Sequence, residues 1–169
     1  MNNVPTTRFD DLPDSARVWV YGSSRDLDGS QAKRLLSSVD DFLATWKAHG
    51  VPLTAAREWD GRFLTIAVDQ RQEGASGCSI DGLFRTLKAL ETEIGAELVS
   101  SGRVYFRDRA GEIRGVTRDE FGELGAAGEI GPDTEVFDLS VTSLGEWRAR
   151  FRSRMADSWH ASLISHRVT

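Results

Sequence analysis

Cys78 is the only cysteine in the chain and stands in Gly74-Ala75-Ser76-Gly77-Cys78-Ser79-Ile80-Asp81, between a predicted strand and a predicted helix. A thiol at the first turn of a helix has its thiolate favoured by the helix dipole, and neighbouring N–H groups can stabilise an oxyanion. With His160 as base and Asp69 (or Asp81) orienting the imidazole, these residue types make a cysteine-nucleophile set. Cys78, His160 and Asp69 are therefore the candidate catalytic residues. A second use of the same run is a nest of backbone N–H groups for a carboxylate or phosphate. Gly74, Ser76, Gly77, Ser79 and Asp81 would form it, and Trp159 in Asp157-Ser158-Trp159-His160 would close it. Each assignment has a plain structural alternative. Free cysteine packs as a small buried residue, Ser76, Ser79 and Asp81 are good helix caps, and the glycines suit a tight connection. Trp159 would then anchor a docked terminal segment. The charge of Asp81 also opposes an anion.

Other chemistry is excluded by what the sequence lacks. A phosphate-binding loop needs G-x-x-x-x-G-K-[ST]; Gly74 to Ser79 has no lysine and the wrong spacing, and no G-x-G-x-x-G occurs. His49, His160, His166 and Cys78 have no zinc-ligand spacing, and Asp26 to Gly29 lacks the further acids of a calcium loop. No metal and no cofactor are expected. A net charge of −5 argues against nucleic acid and membrane surfaces. Arg148, Arg150, Arg152 and Arg154 read as a solvated face. One cysteine cannot form an internal disulfide. Met1-Asn2-Asn3-Val4-Pro5 lacks a signal-peptide pattern and no apolar run spans a bilayer, so a cytoplasmic protein is expected.

The elements that must position these residues follow from periodicity. Ala16 to Tyr21 reads as a strand, with Val18 and Val20 on one face and Trp19 and Tyr21 on the other. From Ser30, Ala32, Leu35, Leu36, Val39, Phe42, Leu43 and Trp46 keep helical spacing, ended by Gly50 and Pro52, which puts His49 at the helix C-terminus. Thr54 to Trp59 and Arg62 to Asp69 are strands joined by the tight turn Asp60-Gly61. Ile80, Leu83, Phe84, Leu87, Leu90 and Ile94 stripe a second helix that stops at Gly95. Arg103 to Arg107 is a short strand, returning through Ala110-Gly111 to Glu112–Val116.

The order β-α-β-β-α-β predicts an α+β fold with a ferredoxin-like antiparallel sheet and two helices on one face. Its other face would carry Trp19, Tyr21, Trp59, Phe63 and Tyr105, to be covered by the last third of the chain or a second subunit. Capping-box patterns at Thr117–Glu120 and Ser143–Glu146 open short helices in a C-terminal α/β extension, the second running into an extended arginine-rich segment. The domain reading is an arm over residues 1–14, one domain over 15–160 (core about 15–116, extension about 117–160) and a flexible tail over 161–169.

Ala16–Tyr21, Phe63–Asp69, Gly74–Asp81, Gly128-Glu-Ile-Gly-Pro-Asp-Thr134 and Asp157–His160 together resemble a family of small bacterial proteins of about 160 residues, common in Bacteroidetes. Its members are often labelled "ABC transporter ATPase", a label the missing phosphate loop rejects here. The resemblance covers roughly residues 8–160 and is most specific at the cysteine segment and at Ser158-Trp159-His160. It implies positions and no mechanism. The functional expectation is a small anionic ligand bound at Gly74–Asp81, with thiol chemistry at Cys78 as its enzymatic version. The alternative is an interaction or homodimerisation module using the aromatic sheet face.

Overall fold

The computed structural model describes residues 7–71, 73–99 and 102–165. In chain order the main elements are β1 (Arg17–Gly22), α1 (Gly29–Ala44), β2 (Lys47–Ala48), β3 (Val51–Pro52), β4 (Ala55–Trp59), β5 (Phe63–Val68) and α2 (Gly77–Ile94). They continue with β6 (Val104–Arg107), β7 (Ile113–Val116), α3 (Arg118–Ala126), β8 (Glu135–Phe137), α4 (Leu144–Arg150), β9 (Arg152–Arg154) and α5 (Ser162–Ser165). The fold is mixed α/β with antiparallel sheets. Two compact units divide it: Met1–Val99 with Val141–Arg148, and Ser100–Ser140 with Ala149–Thr169. Among the described residues, no helix is long and apolar enough to cross a membrane.

In the first unit a three-stranded sheet runs β1-β5-β4, all antiparallel. Asp60 shapes the β4–β5 turn by accepting from the Phe63 amide at 2.9 Å, and Gly61 supplies its positive φ of 90°. The two alternating sets within each strand are those the sequence predicts, but their match across strands differs. Trp19 pairs with Ile66, Tyr21 with Leu64 and Trp59 with Leu64, so these aromatics share the Leu64–Ile66–Val68 face. That face packs on Leu35, Val39, Leu83, Leu87, Leu90 and Ile94 of α1 and α2. Burial raises the Tyr21 hydroxyl to about 12. The opposite face carries Val18, Ala56 and Ala67, and Phe9, Leu12, Leu144 and Trp147 cover it. Trp147 donates its Nε1–H to Thr65 Oγ1 at 3.0 Å. The expected aromatic outer face is thus corrected: Trp19, Tyr21 and Trp59 belong to the helix-covered core, and Tyr105 lies in the other unit.

The strand expected at Arg103–Arg107 to complete a four-stranded ferredoxin-like sheet is β6, and it pairs elsewhere. Residues 142–144 reach that edge of β1 instead: the Val18 amide donates to Thr142 O at 3.0 Å and the Leu144 amide to Ala16 O at 2.8 Å. Two helix ends also depart from the pattern. Helix α1 starts from a capping box, with Asp28 accepting from the Gln31 amide and Gln31 from the Asp28 amide. It stops at Ala44, because β2 and β3 form a small hairpin turned by His49 and Gly50, at φ 52° and 76°. His49 is a turn residue and does not end a helix. Helix α2 ends as expected on Gly95 at φ 65°, and Arg25 adds donors to the carbonyls of Ile94 and Gly95 at 2.8 Å each.

The second unit has a four-stranded antiparallel sheet in the order β7-β6-β8-β9. Its β6–β7 turn is held by the Asp108 carboxylate, which accepts from the Ala110 and Glu112 amides at 3.0 and 2.9 Å. Val104, Phe106, Val116, Val136 and Met155 pack with Phe121 of α3 and with Ile130. Helix α4 passes through Phe151 into β9, the helix-then-extended course expected of the arginine-rich segment. Ser162–Ser165, expected to be part of a frayed tail, is helical. Ile164 lies so close to Gly125 of α3 that a Cβ there would stand 2.5 Å from its Cδ1. The expected arm residues 1–6 and tail residues 166–169 lie outside the described residues.

Candidate functional site

The sequence nominates the head of α2, and there the local bonds are capping bonds. Ser76 is the N-cap; its Oγ accepts from the Ser79 amide at 3.2 Å, while Ser79 Oγ donates to Ser76 O at 2.8 Å. The Trp46 indole donates to Ser79 O at 2.8 Å, a buried bond that ties the helix head to the segment after α1. Cys78 and Asp81 are exposed. Gly74 and Gly77 do not have positive φ, and a Cβ at Gly77 would meet nothing within 4 Å, so their backbone does not demand glycine. Asp69 faces Arg71, whose Nη2 lies 2.8 Å from its Oδ2. The hydrogen bonds from the Arg71 side chain and amide hold that carboxyl below the usual range. Asp69 thus serves a local turn and ion pair.

His160 and Trp159 belong to the second unit and build a different kind of place. Ser158-Trp159-His160 enters the single 3-10 turn Trp159–Ala161, which carries the His160 side chain fully inside, at 0% exposure. Its Nδ1 lies 2.7 Å from Ser158 Oγ, its ring rests 5.8 Å from that of Phe121, and the Trp159 ring stacks on it at 4.0 Å and 24°. Among the described residues, Nε2 of His160 has no hydrogen-bond partner. A buried polar atom left open is costly and uncommon in a folded protein.

Beside this ring lies a cavity of about 220 Å³, lined by Arg103, Val104, Arg118, Phe137, Leu139, Trp159 and His160, with Gly102 and Ser140. It forms where β6 begins and β8 ends, and Arg118 reaches it as the first residue of α3. The guanidinium carbon of Arg118 stands 5.4 Å from the centre of the Trp159 ring. The indole is fixed from the other end by Asp138, which accepts its Nε1–H at 3.1 Å. Asp138 is 2% exposed and also receives the Ser140 amide and hydroxyl and the Arg150 guanidinium. Burial pushes the Asp138 carboxyl up, but these donors outweigh it and hold the group below the ordinary carboxylate range. His160 moves to about 4, through burial first, with Asp138 opposing the shift and Arg118 adding to it. Its ring is therefore neutral near pH 7.

The structure thus engages the candidates separately: Cys78 and Asp69 fall in the first unit, His160 and Trp159 in the second. Arg103, Arg118, Phe137, Leu139, Ser140 and Asp138 were not singled out by sequence. Asp138-Leu139-Ser140 after a strand signals only an Asx turn, and nothing in it names Trp159 as partner. Among the described residues, no three His, Cys, Asp or Glu side chains converge as metal ligands would. Compared with known proteins, the chain matches no family model, no curated protein and no solved structure.

Proposed function

We propose that the protein binds a small anionic ligand, held in the second unit's cavity by Arg103, Arg118, Trp159 and His160. The observation that carries this reading is His160, a fully buried ring whose Nε2 has no partner among the described residues and which belongs to the lining of a cavity with two arginines and no acid. A neutral imidazole can offer an N–H to an anion, and guanidinium groups add charge-assisted donors. The test is thermal unfolding across a panel of small anions at fixed ionic strength, with Arg118→Gln alongside. At least one anion should raise the wild-type midpoint and lose that effect in the variant. Equal stabilisation of both proteins by every anion would be a general salt effect and would end the reading.

A second reading, thiol chemistry at the Gly74–Asp81 connection, is favoured by the exposed position of Cys78 at the second residue of α2. Its test is the alkylation rate of Cys78 in the folded protein against pH, with His160→Ala in parallel. An apparent pKa below about 7.5 and a rate above that of a free thiol support it. A free-thiol profile, unchanged by the substitution, removes it.

A further inference from the structure

We propose that the anion taken by this cavity is a monocarboxylate with a small apolar body, its carboxylate accepting the Nε2–H of His160 and meeting the exposed Arg118. This deepens the anion-binding reading and rests on it. Three features of the cavity lead there.

The first is the single neutral donor. A neutral imidazole carries one N–H. His160 Nδ1 faces Ser158 Oγ at 2.7 Å, and that hydroxyl can either accept from Nδ1 or donate to it. An anion selects the second arrangement: Ser158 donates to Nδ1, and the ring proton sits on Nε2, which has no partner among the described residues. Ser158 is then a positioning residue that sets the tautomer. Arg118 and His160 both rest on the Trp159 indole, at 5.4 Å and 4.0 Å. One carboxylate has two oxygens, enough to meet both groups.

The second feature is charge. Asp138 is buried behind the indole it holds, with its carboxylate ionised at neutral pH. A phosphate dianion would bring two charges towards that carboxylate and would need several buried donors to replace its hydration. Arg103 and Arg118 of the lining are exposed and keep their hydration, whereas the polar side chain buried in it is His160, whose single N–H suits one negative charge.

The third is the rest of the wall. Val104, Phe137, Leu139 and the Trp159 face supply apolar surface next to the polar groups, as ligand pockets do. At about 220 Å³ the space is below the ~300 Å³ at which drug-sized pockets begin, a size that suits a small ligand. A carboxylate on a ring or short branched chain fills such a space with its apolar part against these walls.

The experiment uses the full chain with labelled histidine and long-range proton–nitrogen NMR spectra, which separate the two imidazole tautomers. Benzoate, inorganic phosphate and benzyl alcohol are titrated at constant ionic strength. Benzoate should bind saturably, shift the His160 Nε2 resonance and leave the ring as the Nε2–H tautomer. Arg118→Gln should weaken benzoate about tenfold, the loss of one charge-assisted hydrogen bond. Because Arg118 is exposed, this variant tests binding without disturbing the buried core. Phosphate binding more tightly than benzoate would overturn the carboxylate assignment and leave the anion reading standing. Benzoate binding with no change at His160 would overturn the assignment as well. Benzyl alcohol binding as tightly as benzoate, or no binding of either anion, would overturn both.

Discussion

At the head of α2, Ser76, Ser79 and the Trp46 indole close their hydrogen bonds on one another, and Cys78 and Asp81 face water. At Ser158–His160 the polar groups turn inward, and one buried nitrogen is left open among the described residues. Both stretches are short, polar and tied down through an indole N–H. The difference lies in what remains after the local bonds are made. A saturated, exposed helix start is explained by helix capping. A buried donor or acceptor with no partner costs free energy that capping does not return, which makes it the better sign of a ligand.

The sharpest way to break this comparison is acid. In an unfolded chain an imidazole titrates near 6.5, and in the fold burial lowers His160 to about 4. The fold therefore favours the neutral ring. Its contribution is complete above pH 6.5, is lost as the pH falls from 6.5 towards 4, and amounts to ~3 kcal/mol across that window. Denaturant unfolding at a series of pH values should show this slope, and His160→Gln should flatten it. The same slope in both proteins would mean that His160 is not held neutral. Asp138, whose carboxyl is depressed, contributes above the ordinary carboxylate pKa and is lost only as the pH falls through its lower folded value, below the histidine window.

On the other side, Trp46→Phe removes the buried donor to Ser79 O and part of the indole's packing, at a cost of ~2 kcal/mol in chemical denaturation. Ser76→Ala should cost ~1 kcal/mol, the ordinary value of an N-cap. Neither should alter ligand binding in the second unit; a change there would undo the division of roles. Smallest of all, Cys78→Ser at an exposed site should move stability by less than ~0.5 kcal/mol. A larger loss would show that the thiol packs.

Much of the first unit was legible because its signals are local. Asp60-Gly61, Gly95 and the stripe from Leu83 to Ile94 each act within a few residues. The alternating sets of β1 and β5 were legible too, but alternation does not say which set faces which across strands. Register does, and it put Trp19 opposite Ile66. The missed end of α1 has a similar origin: Trp46 keeps helical spacing yet is buried from a segment outside the helix. In the site, Trp159 and His160 were nominated as types, whereas the carboxylate beside them was sought in Asp69 or Asp81. Asp138 lies 21 positions before Trp159, and only the folded second unit joins them.

The bridge from Thr142–Leu144 to β1 has a consequence for synthesis. Phe9, Val18 and Ala67 share their cluster with Val141 and Leu144, and Phe9 meets the Trp147 ring at 5.1 Å. A chain emerging from the ribosome cannot finish the first unit when Val99 appears. It must wait until Arg148 has also left the exit tunnel, after residues 100–140. A nascent chain that has emerged as far as residue 120 should therefore hold the helix-covered side of its sheet while Val18 and Ala67 await their C-terminal cover. The product is finished in a different order from the one in which it is written.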